Sequence, residues 1–352
     1  MRIVSVVGAR PQFVKLAPIS HALDGRAEHL IVHTGQHYDE LMSDVFFRDL
    51  GIPAPAVNLE IGSAGHGRQT GRMLEGLERE FERLAPDWVL VYGDTNSTVA
   101  AALAAVKLHL PVAHLEAGLR SFNRRMPEEH NRVLTDHAAD LLLAPTRVAM
   151  DHLANEGLAE RSVLVGDVMT DVLFEVRDRA LADPRPIPLG LETGGYALAT
   201  LHRPDNTDDP GRLGAILDAL AGLDRPVLLL AHPRLRALAA EQGLSLDRGA
   251  LRSNDPLPYP ELVSALMRST AVITDSGGLQ KEAFLLRVPT TTIRPETEWV
   301  ETVESGWNVL ADDPAGIAAA VTRPAPAPTD AAPYGDGHAA EAVADELLRR
   351  RA

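Results

Sequence analysis

The sequence predicts an α/β fold made of two domains, each built around a parallel β-sheet. Its 352 residues favour two domains over one, since single hydrophobic cores stop growing near this length. Short apolar runs alternate with longer amphipathic stretches along the chain, which is the pattern of parallel strands joined by helices. Polar residues follow nearly every predicted strand, where open parallel sheets bind their ligands.

The first half contains six apolar runs of strand length. Pro11 suits the first position of a helix, which is predicted to continue to about Leu23. An Ala-rich helix is expected over 97–108, between the third and fourth strands. The predicted strands are 3–8, 30–34, 88–92, 112–115, 141–144 and 163–165.

The second half repeats this pattern with four apolar runs. The apolar stretch 213–223 is flanked by Asp and Arg, so we expect a core helix there. Two proline-rich stretches, 183–188 and 323–328, are predicted to be stiff connections, and the second precedes a last helix over 339–350. The predicted strands are 196–200, 227–230, 271–274 and 290–293.

Composition excludes several classes of function. The chain has no cysteine, which excludes a disulfide framework, a thiolate nucleophile and a cysteine-ligated metal. A net charge of −15 argues against a nucleic-acid partner, although a local group of cations can still bind an anionic small molecule. His130 and His137 lack the spacing of zinc ligands. No apolar stretch approaches the roughly 20 residues of a membrane span, so we expect a cytoplasmic protein with no membrane partner.

The stretch Asp275-Ser276-Gly277-Gly278 precedes an apolar helix and predicts an anion site. Its glycines let a phosphate approach the backbone, and the helix N-terminus supplies N–H donors. The alternative is a plain helix cap made by Asp275 or Ser276. The Lys-Ser/Thr pair of a P-loop is missing, which argues against ATP hydrolysis. Glu282 in the same helix could bind a ribose diol or could be a solvated helix residue.

Three carboxylates, Asp94, Glu116 and Glu128, lie near strand ends in the first half. Three acids are poor binding partners for an anion, but they make sense if some of them move a proton. The alternatives are a helix cap for Asp94 and a first-turn helix acid for Glu128. His202 follows a strand and could serve a phosphate leaving group, or it could be a structural histidine.

Together these stretches resemble the non-hydrolysing UDP-N-acetylglucosamine 2-epimerase family. The resemblance covers nearly the whole chain in the family's order, and the combination is far more specific than any one piece. The matching pieces are Gly8-Ala9-Arg10-Pro11 with Lys15, Thr34-Gly35-Gln36-His37, Gly93-Asp94-Thr95, 114–120, 127–132, His202-Arg203, 274–282 and 333–337.

The resemblance implies two Rossmann-like domains facing each other across a cleft, the GT-B-like fold of many nucleotide-sugar glycosyltransferases. The expected domains are 1–169 and 170–336, with the C-terminal helix of 337–352 packing back on the first. The implied reaction interconverts UDP-GlcNAc and UDP-ManNAc by anti elimination of UDP to 2-acetamidoglucal and re-addition. It implies no cofactor and no metal, a UDP-sugar substrate and UDP as partners, and a homodimer.

The resemblance also implies roles for individual residues. Asp94, Glu116 and Glu128 would form the acid/base set, and His202 would serve the phosphate side. The implied substrate- and UDP-binding residues are Arg10, Lys15, His232, Leu262, Ser276, Gly277, Gly278, Glu282 and Arg294.

Three departures from the family's common spelling bear on the substrate and its regulation. Gln12 and Phe13 replace Glu and Ala, and 296–301 replaces Thr-Thr-Glu-Arg-Pro-Glu. These spellings look like the branch that includes 2-epimerases of UDP-2,3-diacetamido-glucuronic acid, which is an alternative substrate. Segment 38–44 lacks the Arg and the second Gln of the common bacterial pattern, which contributes to a regulatory site, whereas 65–69 keeps an Arg and a Gln. We predict turnover of the 2-epimeric product without added UDP-GlcNAc. A hydrolysing 2-epimerase, a glycosyltransferase of the same fold and a non-catalytic sensor are further alternatives.

Overall fold

The computed structural model describes residues 1–36 and 51–350, except for the side chain of Arg10. Contacts divide the chain into two compact units. Unit 1 comprises Met1–Val172 and Ala332–Ala352, and unit 2 comprises Leu173–Ala331. No helix in the described ranges is long and apolar enough to cross a membrane.

Unit 1 contains a seven-stranded parallel sheet. Its strands are β1 (Arg2–Val7), β2 (Glu28–His33), β3 (Val57–Asn58), β4 (Trp88–Tyr92), β5 (Val112–Leu115), β6 (Leu141–Ala144) and β7 (Ser162–Leu164). Its first helices are α1 (Arg10–Leu23), α2 (His66–Leu84), α3 (Asn96–Lys107), α4 (Pro127–Ala138), α5 (Arg147–Asn155) and α6 (Val168–Ala182), the last of which continues into unit 2. The strand order is β3-β2-β1-β4-β5-β6-β7.

Unit 2 contains a six-stranded parallel sheet. Its strands are β8 (Ala197–Thr200), β9 (Val227–Leu230), β10 (Leu251–Asn254), β11 (Ala271–Thr274), β12 (Thr290–Thr292) and β13 (Asn308–Leu310). Its helices are α7 (Pro204–Thr207), α8 (Pro210–Ala221), α9 (Pro233–Glu241), α10 (Tyr259–Met267), α11 (Gly277–Leu285), α12 (Val300–Glu304) and α13 (Ile317–Val321). The strand order is β10-β9-β8-β11-β12-β13.

Both sheets reverse their strand order at the same relative place. In unit 1, β1 pairs with β2 on one side and with β4 on the other. In unit 2, β8 pairs with β9 and β11 in the same way. Ligands of Rossmann-like sheets bind outside the carboxyl ends of the strands at such a reversal. The predicted fold class of two parallel Rossmann-like α/β units is confirmed.

After unit 2 the chain returns to unit 1 and forms α14 (Ala339–Arg349). Val343 and Leu347 of this helix lie in the same buried core as Phe13 and Leu16 of α1. Asp171 of α6 accepts hydrogen bonds from the first two backbone N–H groups of α14, at 3.1 and 2.7 Å. Burial raises the pKa of the Asp171 carboxyl. The end of the chain is therefore an integral part of unit 1.

Three short strands, β3, β10 and β13, were not predicted from the sequence. β3 has two residues, which is too few for a periodic pattern, and β10 carries the exposed Arg252 at an edge of its sheet. The predicted ends of other elements are also shifted, since β1 ends at Val7 and α1 begins at Arg10. The expected core helix is α8, which begins at Pro210.

Candidate active site

Gln12 connects the turns that follow β1 and β4 in unit 1. Its Oε1 accepts the backbone N–H groups of Gly8 at 2.8 Å and Ala9 at 3.0 Å. Its Nε2 donates to the backbone carbonyl of Tyr92 at 2.9 Å, and the side chain is buried. An ionised glutamate has no donor for that carbonyl. The glutamine that departs from the common family spelling therefore fixes the spacing of two strand ends.

Lys15 of α1 forms an ion pair with Glu116, which follows β5. Burial alone lowers the pKa of Lys15, but Glu116 and two further carboxylates outweigh it and raise that pKa overall. Gly93 adopts φ +61°, and a Cβ there would lie 3.1 Å from Glu116 Oε2 and 3.5 Å from Lys15 Nζ. The glycine leaves room for a charged pair at the carboxyl edge of the sheet.

Asp94 is paired with a cation of α4. Arg132 Nη2 lies 2.7 Å from Asp94 Oδ2, and the Asp94 side chain is 30% exposed. The helix-cap alternative for Asp94 is wrong, because Thr95 is the N-cap of α3 and accepts the N–H of Thr98. Asp94 is therefore paired with an arginine that was not predicted from the sequence to belong to the site.

The two glutamates at the start of α4 differ in their surroundings. Glu128 is exposed and has no hydrogen-bonding partner within the described chain. Glu129 is buried and accepts the N–H groups of Ser121 and Phe122, both at 2.9 Å. Burial raises the pKa of Glu129, but these bonds and Arg132 lower it overall. Glu129 holds the preceding loop, which leaves Glu128 as the carboxylate open to a ligand.

In unit 2, a buried aspartate orients His202. Asp275 Oδ1 lies 2.9 Å from His202 Nδ1, and the carboxylate also accepts the N–H of Arg203 at 3.0 Å. Burial raises the pKa of Asp275, but these partners lower it overall. The ionised carboxylate requires Nδ1 to carry the hydrogen, which leaves Nε2 of the half-exposed ring for a ligand. Ser276 rather than Asp275 is the N-cap of α11.

A cavity of about 390 Å³ lies at the carboxyl ends of β8, β9 and β11. This volume is within the range of small-molecule sites. A second cavity of about 280 Å³ shares Leu201, His202 and His232 with the first. Several predicted site residues line the larger cavity, and they are His202, His232, Leu262, Ser276, Gly278 and Glu282.

Glu282 is held by a tyrosine that the sequence analysis missed. The Tyr259 hydroxyl donates to Glu282 Oε1 at 3.0 Å, and both residues line the larger cavity. Burial, together with the Glu282 carboxylate, raises the pKa of Tyr259. Glu282 is therefore a positioned carboxylate, and no sequence pattern pairs a residue of α10 with one of α11.

The two glycines of the predicted anion site have different surroundings. A Cβ on Gly278 would meet nothing within 4 Å, whereas a Cβ on Gly277 would lie 2.3 Å from Glu298 Oε1. The other oxygen of Glu298 lies 2.9 Å from Arg294 Nη1. Gly278 is therefore open on its Cβ side, whereas Gly277 faces the end of a glutamate side chain, and phosphate binding at Gly277 stays a prediction. A carboxylate of the chain itself occupies that space and pairs with Arg294.

The remaining predictions concern a metal, Arg10 and the regulatory segment. Among the described residues, no group of three or more His, Asp or Glu side chains could hold a metal. The Arg10 side chain and segment 38–44 lie outside the described part of the chain. Gln69 is buried and bonds to Asn96 at 2.8 Å, while Arg68 is exposed. Gln69 therefore has a structural role at the start of α2.

Comparison with known proteins identifies the family. A sequence profile described as UDP-N-acetylglucosamine 2-epimerase matches residues 21–348. The chain belongs to the UDP-N-acetylglucosamine 2-epimerase family. Membership makes it an epimerase, within the isomerases.

Relatives in this family differ in their sugars. The chain is 47% identical to the UDP-2,3-diacetamido-2,3-dideoxy-D-glucuronate 2-epimerase of Pseudomonas aeruginosa, over 99% of this chain and 100% of that protein. It is 40% identical to the UDP-N-acetylglucosamine 2-epimerase of Methanocaldococcus jannaschii, over 89% of each. The crystal structure of a Methanocaldococcus jannaschii UDP-GlcNAc 2-epimerase in complex with UDP-GlcNAc and UDP is similar, with a TM-score of 0.83 and 37% identity. That match covers 99% of this chain and 100% of the other.

Proposed function

We propose that the protein interconverts UDP-GlcNAc and UDP-ManNAc by inverting C2 of the sugar. The observation that carries the proposal is that Asp94 and Glu116, each paired with its own cation, lie at the carboxyl edge of one sheet. Inversion at C2 needs proton transfer on both faces of that carbon. Two carboxyl groups in different surroundings can divide those two steps.

The reaction balances without a cofactor. A base takes the C2 proton, the electrons of the C2–H bond form the C1=C2 double bond, and the C1–O bond breaks to release UDP. UDP then adds back to C1 while an acid protonates the opposite face of C2. We propose Asp94, Glu116 and Glu128 as the acid/base set, with Lys15 and Arg132 holding their charges.

We propose that unit 2 binds the UDP part. Ser276 and Gly278 lie at the start of α11, where backbone N–H groups and the helix dipole favour a diphosphate. His202, oriented by Asp275, presents Nε2 to the departing phosphate, and a proton carried on Nε2 would be donated to it. His232 and Leu262 line the same cavity, and Glu282, held by Tyr259, can accept from the ribose hydroxyls. We also propose Gly277 and Arg294 of unit 2 as diphosphate-binding residues, and Arg10 as a further UDP-binding residue.

A second substrate is supported by a specific observation. The relative that is 47% identical over nearly the whole chain is named for UDP-2,3-diacetamido-2,3-dideoxy-D-glucuronate. Epimerisation of that sugar is the same chemistry at C2. We propose it as the alternative substrate.

The deciding experiment offers each UDP-sugar separately in D₂O and follows the products by proton NMR. We expect both C2 epimers of the accepted sugar, each with deuterium at C2. Retained protium would exclude elimination and re-addition. Free UDP with free sugar would indicate a hydrolysing enzyme, and two unchanged substrates would leave a glycosyltransferase or a sensor. We also propose a homodimer, which light scattering after size exclusion tests.

A further inference from the structure

His114 of β5 is completely buried, and both of its ring nitrogens face hydrogen-bond acceptors. Nδ1 lies 2.6 Å from Asp136 Oδ1, and Nε2 lies 2.7 Å from the backbone carbonyl oxygen of Gly93. A carboxylate oxygen and a carbonyl oxygen can only accept. Each ring nitrogen must therefore carry a hydrogen, unless the proton near Nδ1 resides on Asp136.

The surroundings of Asp136 place that proton on His114. Asp136 Oδ2 accepts the N–H of Gly118 at 3.1 Å and lies 2.7 Å from Arg120 Nη1. Burial alone raises the pKa of Asp136, but His114 and Arg120 lower it overall, so the carboxyl is ionised. Glu156 neutralises Arg120 through two bonds of 2.8 Å. Two cations and two carboxylates thus form a neutral network, which is the condition for burying such charges.

The imidazolium of His114 acts on the turn that carries Asp94. Gly93 is in the left-handed region, its N–H donates to the Leu115 carbonyl at 3.0 Å, and its own carbonyl is held by His114. The Gly93 carbonyl belongs to the peptide plane that also contains the Asp94 nitrogen. The Gly93 N–H belongs to the preceding peptide plane, so the two bonds fix the peptide planes on either side of the Gly93 Cα. Only the His114 bond acts on the plane of the Asp94 nitrogen, and it ties the starting point of Asp94 to β5, the strand that precedes Glu116.

We propose that His114 is a positioning residue for the epimerase reaction, which holds Asp94 in place relative to Glu116 through the Gly93 carbonyl. The proposal rests on the proposed function. His114 itself does not touch the substrate, because its two nitrogens are committed to Asp136 and Gly93.

Two substitutions separate this role from simple packing. The side-chain amide nitrogen of an asparagine at position 114 would lie where Nδ1 lies in the histidine. The amide nitrogen of a glutamine, one methylene longer, would lie where Nε2 lies. His114→Asn therefore keeps the Asp136 contact and loses the Gly93 contact, while His114→Gln does the reverse. We expect kcat to fall about 10- to 100-fold in His114→Asn, the scale of a small misplacement of a reacting group. In His114→Gln we expect a loss of no more than about fivefold.

A matched control is His152→Gln. His152 bonds to a neighbouring backbone carbonyl, that of Gly118, at 2.9 Å and has no bond to Gly93. We expect kcat of the control to equal that of the wild type. The Kd for UDP, measured by calorimetry, should be unchanged in all three variants. Equal losses in the Asn and Gln variants, or losses that follow their melting temperatures, would overturn the proposal.

A second measurement needs neither a variant nor activity. In wild-type protein labelled with ¹⁵N-histidine, both ring nitrogens of His114 should resonate as protonated nitrogens. An unprotonated ring nitrogen would overturn the proposal even if the variants lose activity. A different result would separate the two proposals. If the wild-type enzyme exchanges no C2 proton with either UDP-sugar, the proposed function is wrong. Two protonated ring nitrogens in the same protein would still support the hydrogen bonds of His114 to Asp136 and Gly93.

Discussion

At the scale of single residues, Glu298 is an internal competitor for the proposed diphosphate. Its carboxylate lies against Gly277 and pairs with Arg294, two residues assigned to that diphosphate. Removing the charge of Glu298 should make both Gly277 and Arg294 available to the diphosphate of UDP. We expect Glu298→Gln to bind UDP about two- to fivefold more tightly, the scale of a partly exposed ion pair. Titration calorimetry with UDP measures this.

Glu296→Gln is the control for Glu298→Gln. Glu296 is exposed, lies in the same segment and loses the same charge when substituted. Its UDP affinity should equal that of the wild type. A gain of equal size in both variants would mean that overall charge, and not the place next to Gly277, determines the affinity.

Glu116 is expected to affect turnover and not UDP binding. Its carboxylate is paired with Lys15 in unit 1, whereas the proposed UDP residues of the cavity are in unit 2. We expect Glu116→Gln to lower kcat by about 10²- to 10⁴-fold, the usual contribution of a positioned acid or base. The Kd for UDP should stay within about twofold of the wild-type value. Wild-type turnover in this variant would remove Glu116 from the acid/base set.

At the scale of secondary structure elements, the contact between β1 and β2 contains a partly buried histidine. His29 Nε2 lies 2.8 Å from Ser5 Oγ, and burial lowers the pKa of His29 to about 4. Between that value and the ordinary 6.5 the unfolded chain binds more protons than the native protein. The contribution of the neutral His29 to the free energy of unfolding is therefore fully present above about pH 6.5 and is lost as the pH falls towards 4. The loss reaches no more than about 3 kcal/mol.

Urea unfolding at pH 7 and pH 4.5 measures this loss. His29→Gln should flatten the difference between the two values, since glutamine does not titrate. His21→Gln, in α1 and exposed, should keep the wild-type difference. An undiminished difference in His29→Gln would assign the acid sensitivity to other groups.

The strands and helices also show which parts of the fold and of the candidate site could be predicted from the sequence alone. Strands such as β4 and β9 were found because every residue in them is buried, which produces uninterrupted apolar runs. Residues directly after those strands were found because parallel strands bring their carboxyl ends to one edge. Tyr259, Arg132 and Glu298 were missed because they reach the site from helices and a loop. Their contacts depend on how those segments pack, and local periodicity does not encode that packing.

At the scale of the whole molecule, the two units differ in the number of chain segments that form them. Unit 2 is one continuous segment with its own buried cores. Unit 1 needs α14, because Val343 and Leu347 complete the core around Phe13. We expect the fragment 173–331 to fold cooperatively and to bind UDP, and the fragment 1–172 to fold only when 332–352 is supplied. Circular dichroism melting and calorimetry measure both.

The predicted domain limits supply a comparison for these fragments. The fragment 170–336 includes Tyr334, a fully buried residue whose carbonyl accepts the N–H of Asp167 in unit 1. Cut at 336, that fragment exposes an aromatic ring that has lost its surroundings. We expect it to be less soluble than 173–331, and equal solubility would favour the limits at 169 and 336.

The late return of the chain to unit 1 has a consequence for synthesis on the ribosome. Domains generally fold in the order in which they are translated, at about 5–20 residues per second. Here unit 2 is made entirely between the two parts of unit 1. Once the first part of unit 1 has been made, the apolar face of α1 that receives α14 thus stays open for a further roughly ten to thirty seconds at that speed. A nascent-chain chaperone can bind the apolar face of α1 during that interval. A messenger RNA truncated within the region that encodes unit 2 yields a chain without α14, in which this face stays exposed.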